Sequence, residues 1–343
     1  MKNFKIKNRL VGDSAPVFIV AEACDNHLGN MEEAKSMVRA AKRAGADAIK
    51  FQHHLPDEEM LPETPMSDNM QEPLYDFLKK YALTLDQHIF LKKYCDEIGI
   101  QYMCTPFSLV AAKELMQHNL LDVVKIGSGE MTDIPYLLEI AKFGLPIIVS
   151  TGMSEMKEIQ ETYEALVSTG VSFALLNCVS EYPPVYQDIN LKVITHMKTE
   201  FPKAIIGHSD HTPTLYTSYA AVSLGAAIIE KHVILDKNQA GPDQSVSIDF
   251  NELSELVSGI RIIESAMGSE KKVHLKEKVI RNWAFRSIVS CKDIPKNTVL
   301  TLDHIWSKRP GTGIPSKYIP QLLGKKTTRD IPENTLLNWD DIE

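Results

Sequence analysis

The chain has 343 residues, 44% of them hydrophobic and 24% charged, with a formal net charge of −8, which is the composition of a globular protein. No stretch approaches the roughly 20 apolar residues of a membrane span. The polar segment 1–16 lacks an apolar signal core, and the negative balance argues against nucleic acid or a membrane surface as a general partner, so the expectation is a cytoplasmic protein that can still carry a local basic pocket for an anionic substrate.

Taken in chain order, short apolar or β-branched runs recur at 17–23, 48–54, 100–106, 123–129, 146–152, 173–179, 204–210 and 227–233. Segments with helical period separate or follow them at 31–44, 84–98, 109–118, 154–168, 214–224 and 251–267. Eight strand-helix units in regular alternation predict a closed parallel (β/α)8 TIM barrel over 1–270. An open doubly wound sheet has fewer strands and a glycine-rich dinucleotide turn, and the short Gly127-Ser128-Gly129 is not that fingerprint. A charged stretch from Gly268 to Lys278 predicts a linker, placed at 271–285.

Beyond it, Lys292-Asp293-Ile294-Pro295-Lys296-Asn297-Thr298 recurs as Arg329-Asp330-Ile331-Pro332-Glu333-Asn334-Thr335. Two copies of a turn-plus-strand unit predict a small pseudo-symmetric domain over 286–343, docked on something larger because so small a core is marginal. Between the copies, a proline- and glycine-punctuated loop presents Arg309, which also reads as an ordinary solvated charge.

The barrel strands start apolar and end polar. Glu22, Lys50 with Gln52, Thr105, Lys125 with Ser128 and Glu130, Ser150 with Thr151, Asn177, Ser209 with His211, and Glu230 with His232 all stand at carboxyl ends, which converge on one mouth. His211 and His232 predict a metal site, with ordinary strand-end histidines as the alternative. Two lysines in a buried mouth require anions, either a carboxylate- or phosphate-bearing substrate or salt bridges to Glu22 or Glu130. Ser128, Ser150 and Ser209 would complete a phosphate cradle, although a lone strand-end hydroxyl is more often a helix cap. The cysteines Cys24, Cys95, Cys104, Cys178 and Cys291 are odd in number and never in CxxC spacing, so reduced thiols are expected rather than disulfides or a zinc knuckle.

Over nearly its whole length the chain resembles the sialic acid synthase family. The matching stretches are Ala21-Glu22 with Asn26-His27, Lys50-Phe51-Gln52, Cys104-Thr105-Pro106-Phe107, Lys125-Ile126-Gly127-Ser128-Gly129-Glu130, Ser150-Thr151-Gly152-Met153, Glu181-Tyr182-Pro183, Gly207-His208-Ser209-Asp210-His211-Thr212, Glu230-Lys231-His232, Gly241-Pro242-Asp243 and Lys308-Arg309-Pro310. The resemblance implies a barrel followed by an antifreeze-like (SAF) domain, and a homodimer in which each small domain caps the partner's barrel. It implies condensation of phosphoenolpyruvate with an N-acetylated hexosamine to a nine-carbon 3-deoxy-2-keto sugar acid and phosphate. It implies a divalent ion, manganese or magnesium, on His211 and His232. Phosphoenolpyruvate would be gripped by Lys50, Lys125, Thr105, Ser128, Ser150 and Ser209, and the sugar by Glu22, Gln52, Tyr182 and Asp243. Phe107 and Glu230 complete the substrate-contacting set, and Glu22, Glu130 and Lys125 are the implied catalytic residues, with Glu130 handling protons or ordering water. Arg309 would reach the N-acetyl group from the partner subunit.

The chain departs from the sialic acid branch in places. It has Phe51-Gln52-His53-His54 where His-Gln-Thr-His is common, Ala23-Cys24-Asp25-Asn26-His27 where Ile-Gly-Ile-Asn-His is common, and Asn177 and Ser180 where histidine and asparagine often occur. Gly241-Pro242-Asp243 favours the N-acetylneuraminate or N,N'-diacetyllegionaminate branch over pseudaminate. Two rival readings are a Schiff-base aldolase using Lys50 or Lys125 and a non-catalytic sugar-binding protein.

Overall fold

The computed structural model describes residues 2–65, 72–239 and 241–343. They form two compact units, Met1–Met267 and Gly268–Glu343.

The first unit opens with an antiparallel hairpin, β1 (Asn3–Ile6) and β2 (Arg9–Gly12), which the sequence reading passed over as a polar segment. Eight parallel strands follow: β3 (Phe18–Glu22), β4 (Ala48–His53), β5 (Gln101–Pro106), β6 (Val124–Ile126), β7 (Ile147–Ser150), β8 (Phe173–Asn177), β9 (Ile205–Asp210) and β10 (Ile228–His232). Their order is β5-β4-β3-β10-β9-β8-β7-β6, and β5 also lies against β6, so the sheet closes on itself. The helices after β6 (Ile134–Ala141) and β8 (Val193–Glu200) complete the alternation that sequence periodicity left open.

Strand side chains alternate between faces, and this period of two sorts the core into two layers. Ile19, Ala21, Ile49, Phe51, Val124, Val149 and Ile229 face outward into one apolar cluster with the helices. Phe18, Val20, Ala48, Met103, Ile148, Ala174, Ile205 and Ile228 fall in a second cluster that includes Phe4, Ile6 and Val11 of the hairpin. The hairpin therefore stops the barrel at the amino ends of its strands. Helix ends carry their own signals: Asn30 accepts from the backbone amides of Glu32 and Glu33 to start Met31–Ala44, and Gly45, at φ 88°, ends it.

The second unit is built around Ile288, Ile294, Leu300, Ile305, Ile314, Leu322, Ile331 and Leu337, with β11 (Ser287–Ser290) antiparallel to β12 (Ile305–Lys308). Its two repeats clasp each other. Ile294 and Ile331 exchange backbone hydrogen bonds of 2.8 Å, the Lys296 amide donates to Asp330 Oδ1 at 2.7 Å, and the Glu333 amide donates to Asp293 Oδ1 at 2.8 Å. Asn297 and Asn334 take left-handed backbone, φ 66° and 57°, at equivalent turns. Much of the segment 271–285 is helical (Leu275–Ala284) rather than an irregular connector, and none of that helix is buried within this chain: Leu275 is 80% and Val279 67% exposed.

Candidate active site

The alternation that packs apolar side chains inside the lower barrel continues upward, and at the last inward positions it delivers polar ones. Glu22 follows Phe18 and Val20; Lys50 follows Ala48; Glu230 and His232 follow Ile228. These inward residues line a cavity of about 380 Å³ at the carboxyl ends, with Gln52, Thr105, Phe107, Lys125, Ser128, Ser150, Tyr182, Ser209, His211 and Asp243. Asp25, His54, Cys178 and Ser180, which sequence reasoning did not select for the site, line it too. Asn177 and Thr151 do not. Asn177 takes the opposite face, its carbonyl accepting from His208 Nδ1, and the Thr151 hydroxyl donates to the Leu176 carbonyl.

The register between β9 and β10 separates two rungs. Ser209 lies opposite Glu230, and its hydroxyl donates to Glu230 Oε1 at 3.1 Å inside the cavity. One residue on, Asp210 lies opposite Lys231 on the outer face, 3.2 Å apart, where Thr217 and Ser218 also donate to Asp210. These donors hold the Asp210 carboxyl well below its ordinary range although burial opposes the charge.

Both mouth lysines already have protein partners. Lys50 Nζ is 2.7 Å from Glu22 Oε2, 3.7 Å from Glu230 Oε2, and donates to Thr105 Oγ1 at 3.0 Å. Lys125 Nζ donates to Ser150 Oγ at 2.8 Å and the Ile126 carbonyl at 2.9 Å, and lies 3.6 Å from Glu230 Oε1, so its carboxylate neighbour is Glu230 rather than the expected Glu130. Thr105 and Ser150 accept from lysines and keep their own O–H to donate to a ligand. Burial lowers the Lys125 pKa, and it opposes the charge on Lys50 as well, but Glu22 and Glu230 outweigh it there and raise that ammonium. Burial raises Glu22; it also opposes ionisation of Glu230, where the two lysines prevail and lower it. The Glu22 carboxylate is further fixed by Gln52, whose Nε2 donates to Oε1 at 2.9 Å.

Glu130 stands beside this group without lining the cavity. Its Oε2 is buried with no hydrogen-bond partner, and burial pushes its carboxyl up to about 7 against the pull of Lys125. Gly127 makes room for it, since a Cβ there would come within 2.5 Å of that oxygen. Phe107 stacks on His54 with ring centres 4.3 Å apart.

The two histidines meet as the strand order requires, with ring centres 5.1 Å apart, and Tyr182 stacks on His211 at 4.4 Å. His211 Nδ1 donates to the Val179 carbonyl at 2.8 Å, which turns Nε2 toward the Tyr182 hydroxyl at 3.5 Å. Burial opposes charge on His211, yet Cys178 and that carbonyl outweigh it and push the pKa up to about 9. Binding of a divalent ion displaces such a proton. His232 is held well below its ordinary range by burial, with His211 and the lysines adding to the effect, so it is neutral. Its Nδ1 is buried without a hydrogen-bond partner. Cys24, His232 and Asp243 each bring one ligand atom within 4.8 Å of the others, a donor set suited to a cation.

Arg309 belongs to the second unit. It is exposed, its Nε donates to the Ala284 carbonyl at 3.1 Å, and its guanidinium lies 5.4 Å from the centre of the Trp283 ring. Among the described residues no helix is long and apolar enough to cross a membrane.

Residues 37–272 match the NeuB family and residues 285–343 the SAF domain. The chain is 36% identical to the N,N'-diacetyllegionaminic acid synthase of Legionella pneumophila, over 97% of this chain and 96% of that protein. It is 35% identical to the human N-acetylneuraminate-9-phosphate synthase, over 95% of this chain and 92% of that protein. The crystal structure of the N-acetylneuraminic acid synthetase from Leptospira borgpetersenii in complex with citrate matches with a TM-score of 0.74 at 30% identity, covering 81% of this chain and 95% of that one. With barrel, mouth and terminal domain all accounted for, the chain belongs to the NeuB family of sugar-acid synthases and ends in a SAF domain.

Proposed function

We propose that this protein condenses phosphoenolpyruvate with the open-chain aldehyde of an N-acetylated hexosamine, N-acetylmannosamine or its 2,4-diacetamido analogue, and releases a nine-carbon 3-deoxy-2-keto acid and phosphate. The observation that carries this reading is the convergence of Lys50, Lys125, Thr105, Ser128, Ser150 and Ser209 beside His211 and His232 in one cavity. An anion with two charged ends meets two ammonium groups there, and the hydroxyls that accept from them donate onward to it. The enol carbon bonds to the aldehyde carbon, whose oxygen becomes a hydroxyl, water adds at the carbon bearing the phosphate ester, and that carbon-oxygen bond breaks, so that phosphate leaves with the bridging oxygen and the 2-keto group forms. Glu130, with its pKa near the operating range, orders that water and takes its proton. Glu22, Gln52, Tyr182 and Asp243 hold the sugar. His211 and His232 would hold a divalent ion, which as a Lewis acid polarises an aldehyde oxygen.

A second copy of the chain would complete the assembly. Support comes from the apolar side chains that the helix Leu275–Ala284 and its flank leave exposed, among them Leu275, Val279, Trp283 and Phe285, and from Arg309, which is available to reach the partner's sugar.

Mass spectrometry of the product from a panel of hexosamines offered with phosphoenolpyruvate tests the reaction and chooses the branch. The expected result is one nine-carbon acid whose formation is stopped by chelator and restored by a divalent ion. Turnover that survives complete metal removal would sink the metal's role. Burial of Lys125 favours a Schiff-base aldolase as a second reading; a pyruvate adduct trapped on Lys125 by borohydride would establish that reading instead.

A further inference from the structure

Cys24 follows the carboxyl end of β3 by two residues, fully buried, on left-handed backbone at φ 40°. Its Sγ, a ring nitrogen of His232 and a carboxylate oxygen of Asp243 lie within 4.8 Å of one another. The three come from different segments: the turn after the first barrel strand, the end of the last one, and the loop beyond it. His232 is 5% exposed, its Nδ1 has no hydrogen-bond partner, and the Asp243 Oδ2 atom is 3.9 Å away. Metal bonds of about 2.0–2.3 Å at tetrahedral angles place ligand atoms roughly 3.3–3.8 Å apart, so these donors need only a small inward movement to share one ion.

We propose that Cys24 is a direct metal ligand, adding a thiolate to the imidazole and carboxylate donors of this protein's metal centre so that it selects a thiophilic divalent ion such as zinc, cobalt or ferrous iron over magnesium. The physical reason is ligand softness. A thiolate bonds strongly to borderline ions, whereas magnesium keeps oxygen ligands and several waters and gains little from sulfur. The inference rests on the metal dependence proposed above, and it changes which ion carries out the Lewis-acid role.

The test uses cobalt as a spectroscopic probe on the full-length, chelator-stripped protein. Cobalt should produce a near-ultraviolet sulfur-to-metal charge-transfer band in the wild type. The band should be absent in Cys24→Ser and in Cys24→Gly, the second of which suits the left-handed backbone and guards against a folding artefact. It should persist in Cys178→Ser, which removes the thiol that lines the cavity 3.9 Å from His211 Nε2. Zinc affinity measured by competition should fall on the order of 100-fold in Cys24→Ser, while magnesium affinity moves less than about threefold. Cobalt bound without the band, or with a band lost only in Cys178→Ser, would overturn the role of Cys24 and leave metal dependence standing. No cobalt binding at all would overturn both.

Discussion

The two ends of the barrel solve opposite problems with the same strands. At the amino end, Phe4, Ile6 and Val11 of the hairpin join Phe18, Met103 and Ile148 in a dry apolar plug. Two to four residues beyond the apolar inward positions of β3, β4, β6 and β10, the same inward face carries Glu22, Lys50, Lys125 and Glu230, all at least 95% buried. Side chains of the first kind contribute roughly 1.5–3 kcal/mol each when fully buried, whereas a buried ion pair is close to neutral at best. The lower barrel therefore stabilises the upper one, and the two ends should respond differently to substitution.

Lys125→Met should show the largest effect, a loss in kcat/KM on the order of 1,000-fold, about 4 kcal/mol of transition-state stabilisation, measured as phosphate release. Ile6→Ala at the opposite end should lower unfolding free energy by about 3 kcal/mol in a urea titration. Its kcat should stay at the wild-type value wherever the protein is folded; a matching loss of turnover would show that the ends are not separable. Glu130→Gln probes the cost of the polar end through pH. A carboxyl raised to about 7 in the folded state stabilises fully below its ordinary pKa, and that contribution is lost as pH rises through 7. Wild-type melting temperature should thus fall more between pH 5 and pH 8 than that of Glu130→Gln, and the variant should lack the activity limb near pH 7. Parallel melting curves for the two would remove Glu130 as the source. The smallest effect belongs to the second unit. Asp330→Ala, which deletes the acceptor for the Lys296 amide, should destabilise that unit by about 1 kcal/mol and leave urea unfolding of the barrel unmoved.

Most of the barrel was legible because strand ends and helix starts leave local signals, and the inward polar residues share one parity along each strand. What escaped had no such signal. The hairpin's Phe4 and Ile6 alternate with lysines, so a plug for the barrel floor reads as a polar leader. The helix Leu275–Ala284 is hidden by the charges that precede it. Cys24 and Cys178 form no linear spacing motif, because a site assembled from separate strand ends brings its donors together only through the fold. Asn177 has the chemistry of a mouth residue but the parity of the outer face, and its neighbour Cys178 takes the inward position at the cavity. The lysine partners required register: Glu22 for Lys50 was open to inference, but Glu230 for Lys125 comes from the approach of distant strands.

The adjoining rungs of β9 and β10 also limit which length changes this protein can tolerate. Ser209 with Glu230 faces inward and Asp210 with Lys231 faces outward, so deleting one residue early in β10 would exchange the cavity's carboxylate for an ammonium and push Glu230 toward the helices, and the same deletion in β9 would replace the Ser209 hydroxyl with the Asp210 carboxylate. A change of two would restore parity but slide the polar layer by one step into the apolar floor. Insertions compatible with a working site are thus confined to the connections beyond the strand ends, and diversification of substrate choice has to proceed through those loops or by replacement of side chains in place.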